Sequence, residues 1–544
     1  MYRLTKYCFI LLTAVFYLAS CYNREAKEEN IFHYNEMTGI ASLDPAFAKN
    51  QSTMWAAHQL FNTLVEVDSN LQVAPSLAKR WDISLDRLTY TFHLRNDVFF
   101  HDDDAFPGKK GRKLTAKDIV FSLSRIIDKS VASPGAWIFN RKVDTIQPFV
   151  AIDDSTFQLK LLKPYNPILG IPSMQYCSAV AEEVVMKYGN DFRRHPLGTG
   201  PFRFVRWEEG QALILGKNRN YFEKDSDEKT LPYLDGIKVN FYDSKATEFL
   251  LFRQKKLDFI NDIDASFKDE ILTKKGVLRK DWESKIVLQT HPYLNIEYLG
   301  LLVDSANAIV KNSPTRLQKI RQAINYGFDR RKMVLYLRNS IGTPAESGFV
   351  PAGLPSFNAE VVKGYSYDPA KSRQLLTEAG FANGIGLPTI KLLTIPVYSD
   401  MASFIAKELE EVGIKVQVEV VQKALLLELT SNSRALFFRA SWIADYPDAE
   451  NYLSVFYSKN PAPPNYTRYN NPEFDALFEK ALSEQNDSVR YRLYQQADQV
   501  VINDAPVVPL WYDKAIHLVQ TDITGFVPNS LNLLELRHTK FLKP

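Results

Sequence analysis

Hydrophobic and polar positions alternate along much of this chain, and changes of period mark its elements. From Arg87 to Arg95, in RLTYTFHLR, Leu88, Tyr90, Phe92 and Leu94 fall on every second position, the mark of a half-buried strand. The next segment, KLTAKDIVFSLSRIID, changes period. Thr115 stands where an N-cap belongs, Asp118 follows three residues on, and Ile119, Val120, Leu123, Ile126 and Ile127 form one helical stripe. Ser155 to Leu162 alternates again. From about Pro388 the pattern becomes strand, helix, strand: TIKLLTIP, then DMASFIAKELEEVG ending at Gly413, then IKVQVEV with Ile414, Val416, Val418 and Val420 on one face. That spacing predicts a parallel βαβ unit. Two helices carry their own boundaries: one with Asp368 as cap, Pro369 in the first turn and Gly380 as stop, and one starting at Asn471.

The N-terminus departs from these patterns. Arg3 and Lys6 precede the apolar run Tyr7 to Leu18, which at twelve residues is shorter than the roughly 20 a membrane-spanning helix needs. A basic start, a short apolar stretch and small residues after it read as a secretory signal over 1–20. The run ends in LASC, similar to the bacterial lipobox, so Cys21 is the expected lipidation site and membrane anchor. The polar stretch 21–30 then reads as a tether.

A chain of 544 residues exceeds what one hydrophobic core organises, so at least two lobes are expected. Formal net charge is only +3, which gives no basic face for nucleic acid. The three cysteines are Cys8, Cys21 and Cys177; with the first two assigned to the signal and the anchor, neither a structural disulfide nor a CxxC metal site is expected. Phosphate-loop, zinc-protease and serine-hydrolase motifs are missing. HDDDAF, His101 to Phe106, reads as a solvated loop, and GTGPF, Gly198 to Phe202, as a glycine turn. No cofactor or catalytic residue is expected.

Phe437 to Leu453, FFRASWIADYPDAENYL, places Arg439, Asp445 and Asp448 in a segment that otherwise reads as buried. By spacing alone, Arg439 and Asp445 could pair with each other, or either could face a ligand. Asp448, after Pro447, reads as a turn residue.

In order, LDPAFAKN, VAPSLAKRWDISLDRLTYTFHLRNDVFFHDD, LTAKDIVFSLSRI, HPLGTGPFRFVRWEEGQALILGKNRNYF, KIRQAINYGFDRRKMV, YDPAKSRQLLTEAGF and DAPVVPLWY resemble the family 5 extracellular solute-binding proteins, peptide receptors of ATP-binding cassette importers. The resemblance implies an α/β, two-lobed periplasmic-binding-protein fold of class II, with a ligand cleft between hinged lobes. It implies a discontinuous lobe I over 31–72, 190–290 and 511–544, an extra subdomain over 73–189, and a lobe II over 291–510. In the oligopeptide-binding branch an Arg-Ala-Gly-Trp-x-Ala-Asp-Tyr segment lies along the cleft. Here it reads Arg439 to Tyr446, with Ser441 in place of the glycine. The resemblance assigns Asp445 to the ligand's α-ammonium, Arg439 to a ligand carboxylate, Ser441 and Ile443 to backbone pairing, and Trp442 to a wall. Trp137, Trp511 and Tyr512 are weaker pocket candidates. The implied function is a monomeric, lipid-anchored receptor of the bacterial cell envelope, facing periplasm or exterior, that captures oligopeptides and delivers them to a permease and ATPase. The alternatives are the same fold binding a nickel complex, haem, sugar or opine, a lipid-anchored hydrolase, and a surface chaperone.

Overall fold

Two long strands organise the molecule. In the computed structural model, which describes residues 30–542, Ile286–Leu301 and Val507–Gln520 run side by side through an eleven-stranded sheet. The signal segment, Cys21 and all but Asn30 of the expected tether lie outside the described residues.

In chain order the sheet strands are β1 (Ile31–Asn35), β2 (Phe202–Glu208), β3 (Ala212–Lys217), β4 (Gly236–Asn240), β5 (Phe259–Asn261), β6 (Ile286–Leu301), β7 (Thr343–Pro344), β8 (Ile390–Thr394), β9 (Val416–Val420), β10 (Phe437–Ile443) and β11 (Val507–Gln520). Their order across the sheet is β9-β8-β10-β6-β11-β5-β1-β4-β3-β2, with β7 added on β11. The predicted βαβ unit is present: β8 and β9 are parallel and joined by the helix Ser399–Glu411. Gly413 follows that helix at φ +99°, a conformation in which L side chains are strained.

The pairing of β6 with β11 breaks once. Ile286 to Pro292 pair with Gln520 to Lys514, and Ile296 to Gly300 with Tyr512 to Val507. Between them three residues of β6 oppose the single Asp513, a bulge that bends the ribbon. Arg338 pairs with Asp513 at 2.7 Å and the Asn295 amide donates to it at 3.0 Å.

Burial also changes at the bulge. From Leu294 onwards every residue of β6 is buried, because helices cover both faces. Leu294, Ile296 and Tyr298 pack into one core with Phe349, Tyr452 and Phe474; Leu299 and Leu301 pack into another with Ile320, Ile405 and Leu409. Alternate side chains of one strand thus supply two cores.

A four-stranded antiparallel sheet, Ala78–Ile83, Thr89–Leu94, Thr156–Lys160 and Phe149–Asp153 in spatial order, forms a separate layer. Tyr90, Phe92 and Leu94 are its buried positions in the second strand, as the alternation predicts. The helix Ala116–Ile127 packs on it, and Asp118 accepts the Thr115 N–H at 2.8 Å. This layer shares one hydrophobic core with β1, β3 and β4. The GTGPF turn presses on the helix Gln51–Leu60: a Cβ on Gly200 would lie 2.4 Å from the Leu60 carbonyl carbon, so only glycine fits. In the HDDDAF stretch Asp102 and Asp104 are exposed and ion-paired, with Lys110 on Asp102 and Lys109 on Asp104, while His101 and Phe106 are buried, so the stretch is only partly the solvated loop expected.

Among the described residues, no group of three His, Cys, Asp or Glu is arranged to hold a metal, and no helix is long and apolar enough to cross a membrane. Cys177 is a buried free thiol.

Candidate ligand-binding site

β10 is covered on one edge and open on the other. Along its whole length it pairs antiparallel with β6, from Phe437 opposite Leu301 to Ile443 opposite Asn295. On the far side β8 reaches only Phe437 and Phe438 before it diverges. The phase of the ladder follows from its ends, where the Ala444 N–H donates to the Leu294 carbonyl at 2.8 Å and the Leu302 N–H to the Leu436 carbonyl at 2.9 Å. Main-chain groups alternate along an antiparallel pair. Residues 438, 440, 442 and 444 therefore face β6, while Arg439, Ser441 and Ile443 turn their N–H and C=O groups to the open edge. Such an edge can accept an extended chain as one more strand.

Trp442 is on the covered side. It packs against the core of Ile296 and Tyr298, and its indole N–H donates to Asn451 Oδ1 at 3.0 Å. The same Asn451 turns its Nδ2 to the Asp445 carboxylate at 3.3 Å. One amide thus ties the tryptophan to the aspartate just past the end of β10.

Asp445 lines a cavity of about 230 Å³. Met54, Tyr176, Tyr293, Ile443 and Leu533 line it with Asp445. Burial raises the Asp445 carboxyl from 3.8 to about 6; the Asn451 amide and the more distant Lys142 oppose the shift, and Glu450 adds to it. The Tyr176 phenol is pushed up to about 12 by burial, with Asp445 contributing. A desolvated carboxyl that lacks an ion pair has a strong electrostatic preference for a cation.

Arg439 behaves differently from its expected role. Its Nε and Nη2 donate to Glu297 at 2.9 and 2.5 Å, the Tyr398 hydroxyl donates to the same carboxylate at 3.0 Å, and the Tyr398 ring lies 3.8 Å from the guanidinium carbon. The arginine is therefore committed to an internal carboxylate, and the alternative Arg439–Asp445 bridge is not formed. Glu297, absent from the sequence reading, is 142 residues away and gave no local signal.

The weaker candidates separate. Trp511 and Tyr512 are 1% and 3% exposed. Trp511 is packed between Tyr398 and Arg338, and the Tyr512 hydroxyl donates to the Gly348 carbonyl. They are core residues because β11 is covered on both faces there, which corrects their reading as pocket aromatics. Trp137 is 41% exposed and outside the walls of the Asp445 cavity. Asp448 caps the helix Ala449–Leu453 and pairs with Arg490.

The profile of the "Bacterial extracellular solute-binding proteins, family 5 Middle" matches residues 72–464. Heme-binding protein A of Haemophilus influenzae is 27% identical over 523 residues, covering 92% of this chain and 91% of that protein. The dipeptide-binding protein of Escherichia coli is 26% identical over 499 residues, 87% of each. The solved structure of the ABC transporter-associated periplasmic binding protein DppA from Helicobacter pylori, in complex with the peptide STSA, superposes with a TM-score of 0.75 at 25% identity, covering 94% of this chain and 98% of that one. A two-lobed fold, an open strand edge in the cleft and a profile match over most of the length agree: the chain belongs to the family 5 bacterial extracellular solute-binding proteins.

Proposed function

We propose that this protein is the capturing receptor of an ABC importer and that its solute is an oligopeptide. The peptide lies extended along the open edge of β10, pairs with the main-chain groups of Ser441 and Ile443, and places its α-ammonium on Asp445. The observation that carries this reading is the open strand edge leading to a half-buried carboxyl that has no direct ion pair among the described residues. A peptide presents those complementary features whatever its sequence: backbone amides and a terminal ammonium. An ammonium–carboxylate contact in a dry site is among the stronger hydrogen bonds. The peptide bound in the Helicobacter pylori structure and the name of the Escherichia coli relative support the same ligand class. A haem, after which another relative is named, presents carboxylates, and Asp445 would repel them.

In this proposal Cys21 anchors the chain to a membrane through lipid, the body faces periplasm or exterior, and a permease and ATPase take the ligand. The lobes turn about the β6–β11 ribbon at the Asp513 bulge, a hinge of the kind that closes two-domain clefts.

The test is a thermal-shift titration of protein refolded to strip carried-over ligand, with mixed tri- to pentapeptides and the same mixture N-acetylated. Ligand that binds only the folded state raises Tm. A shift that vanishes on acetylation is expected; equal shifts would overturn the Asp445 anchor, and none with either mixture would overturn the peptide reading.

A further inference from the structure

Lys142 is a second charged group near Asp445, one whose field acts on that carboxyl. It sits between the short turn Ala136–Ile138 and the strand Phe149–Asp153. Its ammonium lies 5.8 Å from the Trp137 ring centre and 5.5 Å from that of Tyr165. The Tyr165 hydroxyl meets the Tyr446 hydroxyl at 2.9 Å within one buried core, and Tyr446 donates to Glu450. Tyr446 and Glu450 are buried. Lys142 thus stands beside the same tyrosine pair that holds Glu450, five residues beyond Asp445.

The charges around this point do not cancel. Asp445 is half-buried and Glu450, five residues on, is buried, and the cation acting on both is Lys142. Arg490 is committed to Asp448 and Asp487. Among the described residues, neither carboxylate has a direct ion pair. Burial raises both carboxyls and lowers the Lys142 ammonium, as expected of charges held apart in a dry site.

We propose that Lys142 sets the charge the cleft accepts: Asp445, Glu450 and Lys142 together give the site one net negative charge, which a ligand head bearing a single ammonium completes. This rests on the peptide reading above and narrows it. A first residue with a second ammonium near its α-carbon overfills the site and meets Lys142. An acetylated head leaves the surplus unmatched. Lys142 is then a specificity residue, and Tyr165 and Tyr446 are the pair it stands beside.

The experiment is calorimetric titration at pH 7.0 of ligand-stripped protein with two tripeptides, norvaline-Ala-Ala and ornithine-Ala-Ala, which differ by a terminal ammonium on a three-carbon side chain. Wild type is expected to prefer norvaline at least tenfold. Lys142→Met should shrink that preference at least tenfold, Lys142→Arg should keep it, and Lys142→Met combined with Glu450→Gln, which restores the charge balance, should recover it. A preference unchanged in folded Lys142→Met, or absent in wild type that binds norvaline-Ala-Ala, overturns the proposal and leaves the peptide reading standing. No binding of norvaline-Ala-Ala by wild type overturns both. Should Lys142→Met not fold, Glu450→Gln alone decides: it is expected to weaken the norvaline peptide at least tenfold, and unchanged affinity overturns the proposal.

Discussion

Arg439 grips Glu297, its diagonal neighbour across the β6–β10 ladder, through two nitrogens, and Tyr398 lies against the pair. The side chains are only 11% and 3% exposed. Removing one partner of a buried pair leaves the other charge stranded, at a cost of about 3–5 kcal/mol. Glu297→Ala should lower the unfolding free energy by that order in urea denaturation. Glu297→Leu with Arg439→Met should recover most of it. A double variant as unstable as the single would show that the two residues do not act as a pair.

Asp445→Asn keeps the shape and the Asn451 contact but removes the charge. Peptide affinity should fall by about 3–5 kcal/mol, more than a hundredfold, by calorimetric titration. The ligand-free protein should melt no lower than wild type, because burial already disfavours the ionised carboxyl.

The same carboxyl sets a pH dependence. In the free protein it titrates near pH 6; beside an ammonium it stays ionised to lower pH. Below about pH 6 binding must therefore expel a proton, and affinity should fall roughly tenfold per pH unit. Above that the profile should be flat. Asp445→Asn should abolish this slope; a slope that persists would assign it to another group.

Asp498 titrates inside the fold. It is buried, accepts the Phe349 and Val350 N–H groups at 2.8 and 3.2 Å, and is raised by burial from 3.8 to about 7. The folded chain holds this proton more tightly than the unfolded one. Its contribution to stability is full below about pH 3.8, declines as pH rises, and is lost above about 7. Asp498→Asn should flatten that part of the stability profile, read as Tm against pH.

Ile443→Pro tests the strand edge. The Ile443 N–H faces the open side, so proline there removes a donor from ligand and none from β6, and edge positions tolerate it. Tm should change little while peptide affinity drops at least tenfold, with Ile443→Ala near wild type. Ala444→Pro, which deletes the bond to Leu294, should destabilise the fold.

Local chemistry was legible in the sequence and long-range partnership was not. The helix Pro369–Glu378 carries its boundaries in its own letters: Asp368 accepts the Lys371 N–H at 2.8 Å and Gly380 sits at φ +91°. The RASWIADY segment stood out because its residue types match the family pattern, and its first five residues lie on the strand β10. Its partners come from elsewhere: Glu297 from β6 and Asn451 from the following helix. Trp511 and Tyr512 misled because aromatics fill cores and line clefts equally well, and only the covering of β11 decides between them. Ile414 to Val420 alternate as predicted, yet Ile414 is fully buried and Val420 is 48% exposed, because β9 is an edge strand that runs out from under its helix.

The position of β11 has a consequence for how the molecule comes into being. It is the strand that joins β6 to β5, yet it is made of residues 507–520. Until that stretch is available the sheet exists as two separate pieces, β9-β8-β10-β6 and β5-β1-β4-β3-β2, with no ladder between them. Pairings of such long sequence separation slow folding. The two halves of the sheet therefore become one only once residues 507–520 are in place, and the β6–β11 ribbon is the last part of the sheet to form.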